Sequence, residues 1–272
     1  MKAVVVISDL HIGSSVGLCP TAGMRQDDGG WYKLSGKQRS LARCFENFRE
    51  WALKRTDAAE SRVIVINGDL IDGYHHNTVA VATNNVMIQE QTAIEFLKPV
   101  AADYDKTYVV RGTEAHVGKS AQSDEAIARA LNCEVDPDTG AHSRWQCWMD
   151  VDGLVFNIAH HVGTTSSAAY ESSAVMREMV AALVEAGQWE QRLPDVLIRS
   201  HRHRYIKIAI PSKKGEIQAA VTPGWQLRTP YIERLDRMRM PHIGGLVIKV
   251  EDGRCEITPK IYPMRIPKME TV

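Results

Sequence analysis

Thiols are few and unpaired in this chain of 272 residues. Five cysteines (Cys19, Cys44, Cys133, Cys147 and Cys255) are widely scattered and form no CxxC pair. Such a set argues against a disulfide framework and a cysteine zinc knuckle, and it fits a reducing cytoplasm. An excess of one charge is missing too. The 33 Lys and Arg residues balance 33 Asp and Glu, so there is no whole-molecule basic field for gripping nucleic acid, although a local basic patch stays compatible. No apolar run approaches the roughly 20 residues that span a bilayer. The N-terminus opens directly into a strand, without a signal peptide's small-residue cleavage site. Internal repeats and low-complexity segments are also absent. These absences lead to an expected soluble, cytoplasmic, single-domain protein over residues 1–262, with no membrane partner. A polar, loosely held tail over residues 263–272 is expected to follow.

What is present is a series of short β-branched runs, each ending in polar loops. Ala3 to Ile7 reads as a buried strand that breaks into Ser8-Asp9-Leu10-His11. In extended backbone, Asp9 and His11 would share a face. Residues 13 to 36 are rich in Gly, Ser and Asp and lack a period. A loop that long is either a flexible surface segment or a cover for a substrate. Leu41, Phe45, Phe48 and Ala52 recur at helical spacing up to Arg55. Val63 to Ile66 reads as a central strand leading into Gly68-Asp69-Leu70-Ile71-Asp72-Gly73 and then Tyr74-His75-His76. A helical stretch through Ile94, Leu97 and Ala101 precedes the strand Thr107 to Val110, which ends in Arg111-Gly112-Thr113-Glu114-Ala115-His116.

Further on, Ser123 with Asp124 and Glu125 reads as a helix N-terminus. Asp152-Gly153 reads as the tight turn of a hairpin whose second strand runs into Ala159-His160-His161. Val175, Met179 and Leu183 stripe another helix, with Gly187 as its expected C-cap. Val196 to Ile198 leads into Ser200-His201-Arg202-His203, and strands then follow strands to Tyr262. Helices alternating with strands early and strands alone later imply a mixed α/β protein, parallel first and antiparallel afterwards.

Eight of the ten histidines (His11, His75, His76, His116, His160, His161, His201 and His203) lie in or just beyond a loop leaving an apolar strand; His142 and His242 do not. Such strand-end loops are where α/β folds place ligands. Asp9, Asp69, Asp72 and Glu114 occupy positions of the same kind. Carboxylate and imidazole donors without thiolates suit Mn²⁺, Fe or Zn²⁺, and they outnumber the needs of one ion. Two ions roughly 3.5–4 Å apart, sharing a carboxylate, would suit in-line displacement at phosphorus.

Asp9-Leu10-His11, Gly68-Asp69-Leu70-Ile71-Asp72, Gly112-Thr113-Glu114, His160 and His201-Arg202-His203 resemble the motifs DxH, GDxxD, GNH[D/E], a lone His and GHxH of the calcineurin-like metallophosphoesterases, in the same order. The resemblance implies a four-layer sandwich, two mixed β-sheets flanked by helices (α/β, of the α+β type). It also implies a hydrolase that cleaves a phosphomonoester or phosphodiester, on a small molecule or nucleic acid, by attack of a metal-bridging hydroxide. Two divalent ions are implied, Mn²⁺ foremost with Fe, Zn²⁺ or Ni²⁺ as alternatives. Asp9, His11 and His203 would hold one ion, His160 and His201 the other, and Asp69 would bridge them.

The chain departs from the pattern at Thr113-Glu114. One expectation places Glu114 at the second metal in place of the family's Asn and gives the acid role to His116 through a shifted loop. The other is an altered loop without the acid function, which would suit a binding or scaffold protein that keeps the fold. Ser200 replaces a Gly of the pattern. Asp72 reads as support for a ligating His, and Thr113, His161, His75 and His76 as loop groups near the site or its substrate. Arg111 could bind phosphate or pair with a local carboxylate. Trp225 could line the cleft or simply pack. A metal-dependent amide hydrolase would also use HxH, but DxH with GDxxD suits phosphoryl chemistry better. Oligomeric state is not legible.

Overall fold

The computed structural model describes residues 1–75, 77–163, 167–213, 215–235, 240–263 and 269–271. Its elements run, in order, β1 (Lys2–Ile7), the two-residue strands β2 (Met24–Arg25) and β3 (Trp31–Tyr32), α1 (Gly36–Arg55), β4 (Ser61–Asn67), α2 (Val86–Ala101) and β5 (Lys106–Val110). Then come α3 (Glu114–Val117), α4 (Gln122–Ala130), β6 (Ser143–Arg144), β7 (Gln146–Val151), β8 (Leu154–Ala159), α5 (Glu171–Trp189) and β9 (Val196–Arg199). The last are β10 (Ile206–Ser212), β11 (Gly215–Val221), α6 (Pro230–Leu235), β12 (Ile243–Glu251) and β13 (Arg254–Tyr262).

Two mixed sheets result. The first has the order β13-β12-β1-β4-β5-β6 and the second β10-β11-β9-β8-β7. In the first, β1, β4, β5 and β6 are parallel while β12 and β13 are antiparallel. In the second, β8, β9 and β11 run parallel. The β-branched runs are apolar at every position because both faces of each sheet are covered. Val5 and Ile7 of β1 face Leu41, Phe45 and Phe48 of α1 and Leu97 of α2. Val4 and Val6 turn the other way, onto Phe156, Ile158, Val196 and Ile198 of the second sheet. The far side of that sheet packs Leu197, Ile217, Ala219 and Val221 against Ala174, Val175 and Met179 of α5. The layers are therefore helix, sheet, sheet, helix, as the resemblance implies.

Local signals explain the element ends. Ser35 caps α1 with a reciprocal capping box to Gln38, satisfying two orphan donors of the first turn. Asp152 and Gly153 both have positive φ, 54° and 83°, the primed geometry a tight hairpin needs. Other ends differ from expectation. Helix α4 starts at Gln122 after a left-handed Ala121, one residue ahead of Ser123. Helix α5 runs through Gly187 to Trp189 and is closed by a left-handed Glu190, so Gly187 is an interior residue. Trp225 is fully buried among Phe45, Phe48 and Tyr262 and packs rather than lining a cleft.

The segment from 13 to 36 is packed. Cys19, Met24 and Leu34 form a satellite core with Ala42, and Gln38 donates to the carbonyls of Ser14 and Gly17. Ser14 bridges to Val81, and Asn85 Nδ2 donates to Asp27. Met24 and Trp31 line a cavity of about 620 Å³ with Ala42 of α1 and Ile88 and Phe96 of α2, away from the strand-end loops. Among the described residues no helix is long and apolar enough to cross a membrane. Residues 264–268 and 272 of the expected tail lie outside the described residues.

Candidate metal centre

Because β1, β4, β5, β8, β9 and β11 share a direction within their sheets, the loops after them gather at one end. Backbone bonds then weave these loops together. Asp9 N–H donates to Gly68 O, His11 N–H to Asp69 O, Ser200 N–H to His160 O, and Trp225 N–H to Asp9 O. Asp9, His11, Asp69, His201 and His203 all adopt left-handed backbone, with φ of 55°, 46°, 52°, 68° and 50°. They are five of the eleven non-glycine residues of positive φ among those described. The expectation of extended DxH and HxH segments does not hold. Each of these residues costs on the order of 1 kcal/mol, and such strain clusters where surrounding structure fixes a site.

Two clusters of ligand atoms, joined by a third, lie there: Asp9, His11 and His203; Asp69, His160 and His201; and His11, Asp69 and His116. His203 Nε2 is 3.2 Å from Asp9 Oδ1 and 3.3 Å from His11 Nε2. His160 Nε2 is 3.1 Å from Asp69 Oδ2 and 3.9 Å from Asp9 Oδ1. The opposite ring nitrogens are spoken for. His11 Nδ1–H donates to Asp72 Oδ1 at 3.1 Å, and His160 Nδ1–H donates to Asn67 O at 2.6 Å. That arrangement fixes each tautomer and turns the Nε2 lone pair inward, as metal-ligating imidazoles require. Asp9 Oδ1 is buried and makes no hydrogen bond, its polar neighbours being the ring nitrogens of His203 and His160. An ionised oxygen left so is costly unless a cation meets it. The donor set therefore fits divalent metal.

Electrostatics agree. Burial alone would raise the pKa of Asp9 and Asp69. For Asp9, His203 and His160 outweigh burial and hold its carboxyl below the usual range. For Asp69, His160 does so chiefly, with His116 and His11 adding to it. Burial opposes charge on His160, yet Asp69 and Asp9 push it up to about 10. His201 is lowered to about 4 by burial and by His160. His116 is lowered to about 4 by burial and by His11. Its Nδ1–H donates to Asp72 O at 2.7 Å, and its ring meets His11 edge-on at 4.5 Å.

The Thr113-Glu114 segment is arranged differently from expectation. Glu114 is exposed as the first residue of α3 and belongs to none of the ligand clusters among the described residues. Thr113 is the N-cap of α3, but its hydroxyl makes no capping bond. Instead Oγ1 donates to Asp69 Oδ2 at 2.9 Å and lies 3.2 Å from His201 Nδ1 and 3.4 Å from His160 Nε2. The Thr113 N–H donates to Asp69 Oδ1 at 2.6 Å. A helix starting at residue 114 turns that side chain outward and leaves the N-cap position facing the centre.

Around these groups stand supports. Asp72 accepts from His11 and from Gln226 Nε2, and its carboxylate lies 3.8 Å from His75 Nε2. The His75 ring meets His116 at 4.4 Å. His161 is exposed, its ring 4.6 Å from that of His201. His76 lies outside the described residues. Arg111 is held by groups beside β6, donating from Nε to Ser143 Oγ and lying 3.9 Å from Glu125. Ser200 Oγ, in the place of the pattern's Gly, accepts from Asn67 Nδ2 at 2.6 Å.

Besides Gln226, three supports escaped sequence reasoning. Asn67 holds His160. Gln89 clamps Gly73 through bonds to its N–H and C=O. Asp124 accepts from Gly112 N–H at 2.7 Å, and burial pushes its carboxyl up to about 7. The only advance signal is polarity at positions that helical or strand periodicity marks as inward, as for Gln89.

No protein-family model matches the chain, and no curated protein matches it. Solved structures of similar fold include a novel archaeal phosphodiesterase, 9% identical with a TM-score of 0.44 and covering 95% of this chain and 99% of that one. Vps29 from Entamoeba histolytica, complexed with Zn²⁺, is 10% identical with a TM-score of 0.41, covering 95% and 98%. The NAD nucleotidase of Haemophilus influenzae is 13% identical with a TM-score of 0.44, covering 96% of this chain and 50% of that one. At these values the likenesses carry no part of the functional argument. In the order of its strand-end motifs and in its two packed mixed sheets, the chain resembles the calcineurin-like metallophosphoesterases.

Proposed function

We propose that this protein is a metallophosphoesterase that hydrolyses a phosphomonoester or phosphodiester at a dinuclear centre. The observation that carries this reading is the pair of largely buried His/Asp clusters linked through the His11, Asp69 and His116 group. Asp9, His11 and His203 would hold one ion, His160, His201 and the Thr113 hydroxyl would hold the other, and Asp69 would serve both. Oxygen and nitrogen donors without thiolate suit Mn²⁺. Bound there, two divalent ions supply Lewis-acid stabilisation of the phosphoryl oxygens and a water acidified toward neutrality.

The chain does the rest. Asp72 and the Asn67 carbonyl orient His11 and His160. His116, anchored through Nδ1, presents Nε2 to the centre. Its lowered pKa keeps it neutral near pH 7, so it serves as an acid only after an arriving phosphoryl anion raises that pKa. The ring then takes up a proton from solvent and gives it to the leaving oxygen. The five thiols are free, with Cys19, Cys133 and Cys147 buried, which suits a reducing cytoplasm.

The test is Asp69→Asn, compared with wild type after chelation and Mn²⁺ re-addition. Assays use p-nitrophenyl phosphate and bis-p-nitrophenyl phosphate, which also separate monoester from diester preference. Loss of bound metal and of turnover is expected. Full activity in the variant, or wild type that holds no Mn²⁺, would sink the reading.

A further inference from the structure

An exposed tryptophan stands at the rim of the centre with one face fixed. Trp145 links β6 to β7 and is 56% exposed. Its place follows from register. Arg144 is the Cα partner of Val110 at the end of β5, and Arg111 N–H donates to Arg144 O. Gln146 is the Cα partner of Ala159, the residue before His160. Trp145 therefore sits between the loop that carries Thr113 and the loop that carries His160 and His161, on the strand beside the second cluster.

The ring is not adrift. The Arg111 guanidinium carbon is 5.1 Å from its centroid. That guanidinium is itself held by Ser143 Oγ and lies near Glu125. Glu125 in turn accepts from the N–H groups of His142 and Ser143 and from Ser143 Oγ. A cation stacked on an aromatic face and tied to a carboxylate fixes the plane of that ring. The residue is 56% exposed, and Gln146 beside it pairs with the strand that leads into His160 and His161.

We propose that Trp145 is a stacking platform for a nucleobase, so that the phosphoester hydrolysed at the adjoining centre is that of a nucleotide. This rests on the phosphoesterase reading above. A fixed, open π-face takes any base and needs no hydrogen-bond readout, because every base has a π-face to stack. The spacing suits a sugar. Neighbouring strands lie about 4.8 Å apart, so a base displaced from its phosphate by a ribose reaches one strand over from His160. Zero net charge accords with a small nucleotide rather than a long polyanion.

Wild type, Trp145→Ala and Trp145→Phe, all Mn²⁺-loaded, would be assayed on two matched pairs. AMP is set against glycerol 3-phosphate, and the dinucleotide ApA against glycerophosphocholine. Trp145→Ala should lower kcat/KM for the nucleotide of the pair that is turned over by about tenfold, chiefly through KM. The aliphatic ester should be unchanged, and Trp145→Phe should retain most of the nucleotide's advantage. Equal losses on both esters would overturn the proposal, since they would mean that Trp145 only steadies Arg111; no loss on either overturns it too. A second readout is independent of turnover. In 5-fluorotryptophan-labelled protein, the ¹⁹F resonance assigned through Trp145→Phe should shift with AMP and stay put with glycerol 3-phosphate. If no ester is hydrolysed, the phosphoesterase reading fails, and the ¹⁹F titration still decides whether Trp145 binds a base.

Discussion

Replacing Thr113 with Val removes one hydroxyl at nearly constant volume and should affect both stability and metal loading. In the chelated protein, Asp69 Oδ2 loses a donor at 2.9 Å while the Thr113 N–H stays on Oδ1. A hydrogen bond to a buried charged group contributes about 1.5–3 kcal/mol, which lowers the melting temperature by roughly 3–10 °C for a domain of this size. With metal, the second cluster loses its fourth donor and Asp69 loses an orienting partner. Substitutions of that kind weaken metal affinity by about 10–100-fold. Thr113→Ser should keep both properties. Glu114→Ala removes an exposed carboxylate outside the clusters and should stay within about 0.5 kcal/mol of wild type. Mn²⁺ titration by calorimetry, with bound metal counted by mass spectrometry, decides between the two positions. Loss of the second ion in Glu114→Ala, with Thr113→Val still loading two, would refute the assignment.

Three further outcomes follow from packing and charge. A Cβ on Gly112 would stand 2.3 Å from both Asp69 N and Asp69 Oδ1. Gly112→Ala should therefore displace the shared carboxylate and abolish metal binding by electron paramagnetic resonance, whereas Gly187→Ala, with nothing within 4 Å inside α5, should stabilise by about 0.5–1 kcal/mol. For Glu125, burial opposes ionisation, but hydrogen bonds from Ser143 and His142 outweigh it and hold its pKa at about 2. A depressed folded pKa stabilises above the ordinary carboxylate range and is lost as pH falls through the folded value. The melting-temperature advantage of wild type over Glu125→Gln should thus be full near pH 6 and shrink between about pH 4.5 and 2; a gap unchanged across that window would count against the hydrogen-bonded carboxylate.

Much of this was legible in the order of residues. Runs such as Val63 to Ile66 are apolar at consecutive positions, which only a strand covered on both faces tolerates, and they marked the sheets. Asp9, His11, Asp69, His160, His201 and His203 could be picked out because chemistry-bearing residues recur where those runs stop. Spacing could not settle Thr113 against Glu114. That choice depends on where α3 starts, and a one-residue shift turns a helical side chain by about 100°.

Residue types and their periodicity determined the mixed α/β class, the parallel direction of the early strands and most of the candidate ligand positions, because burial and strand-end chemistry restrict which side chains can serve, while the four layers came with the family resemblance. Tertiary structure alone decided the left-handed turns at Asp9, His11, His201 and His203, the supports at Asn67, Gln89 and Asp124, and the pairing of the strand after Trp145 with the one that leads to His160. Each of these depends on contacts between loops far apart in the chain, and local sequence carries no record of which loop will lie against which.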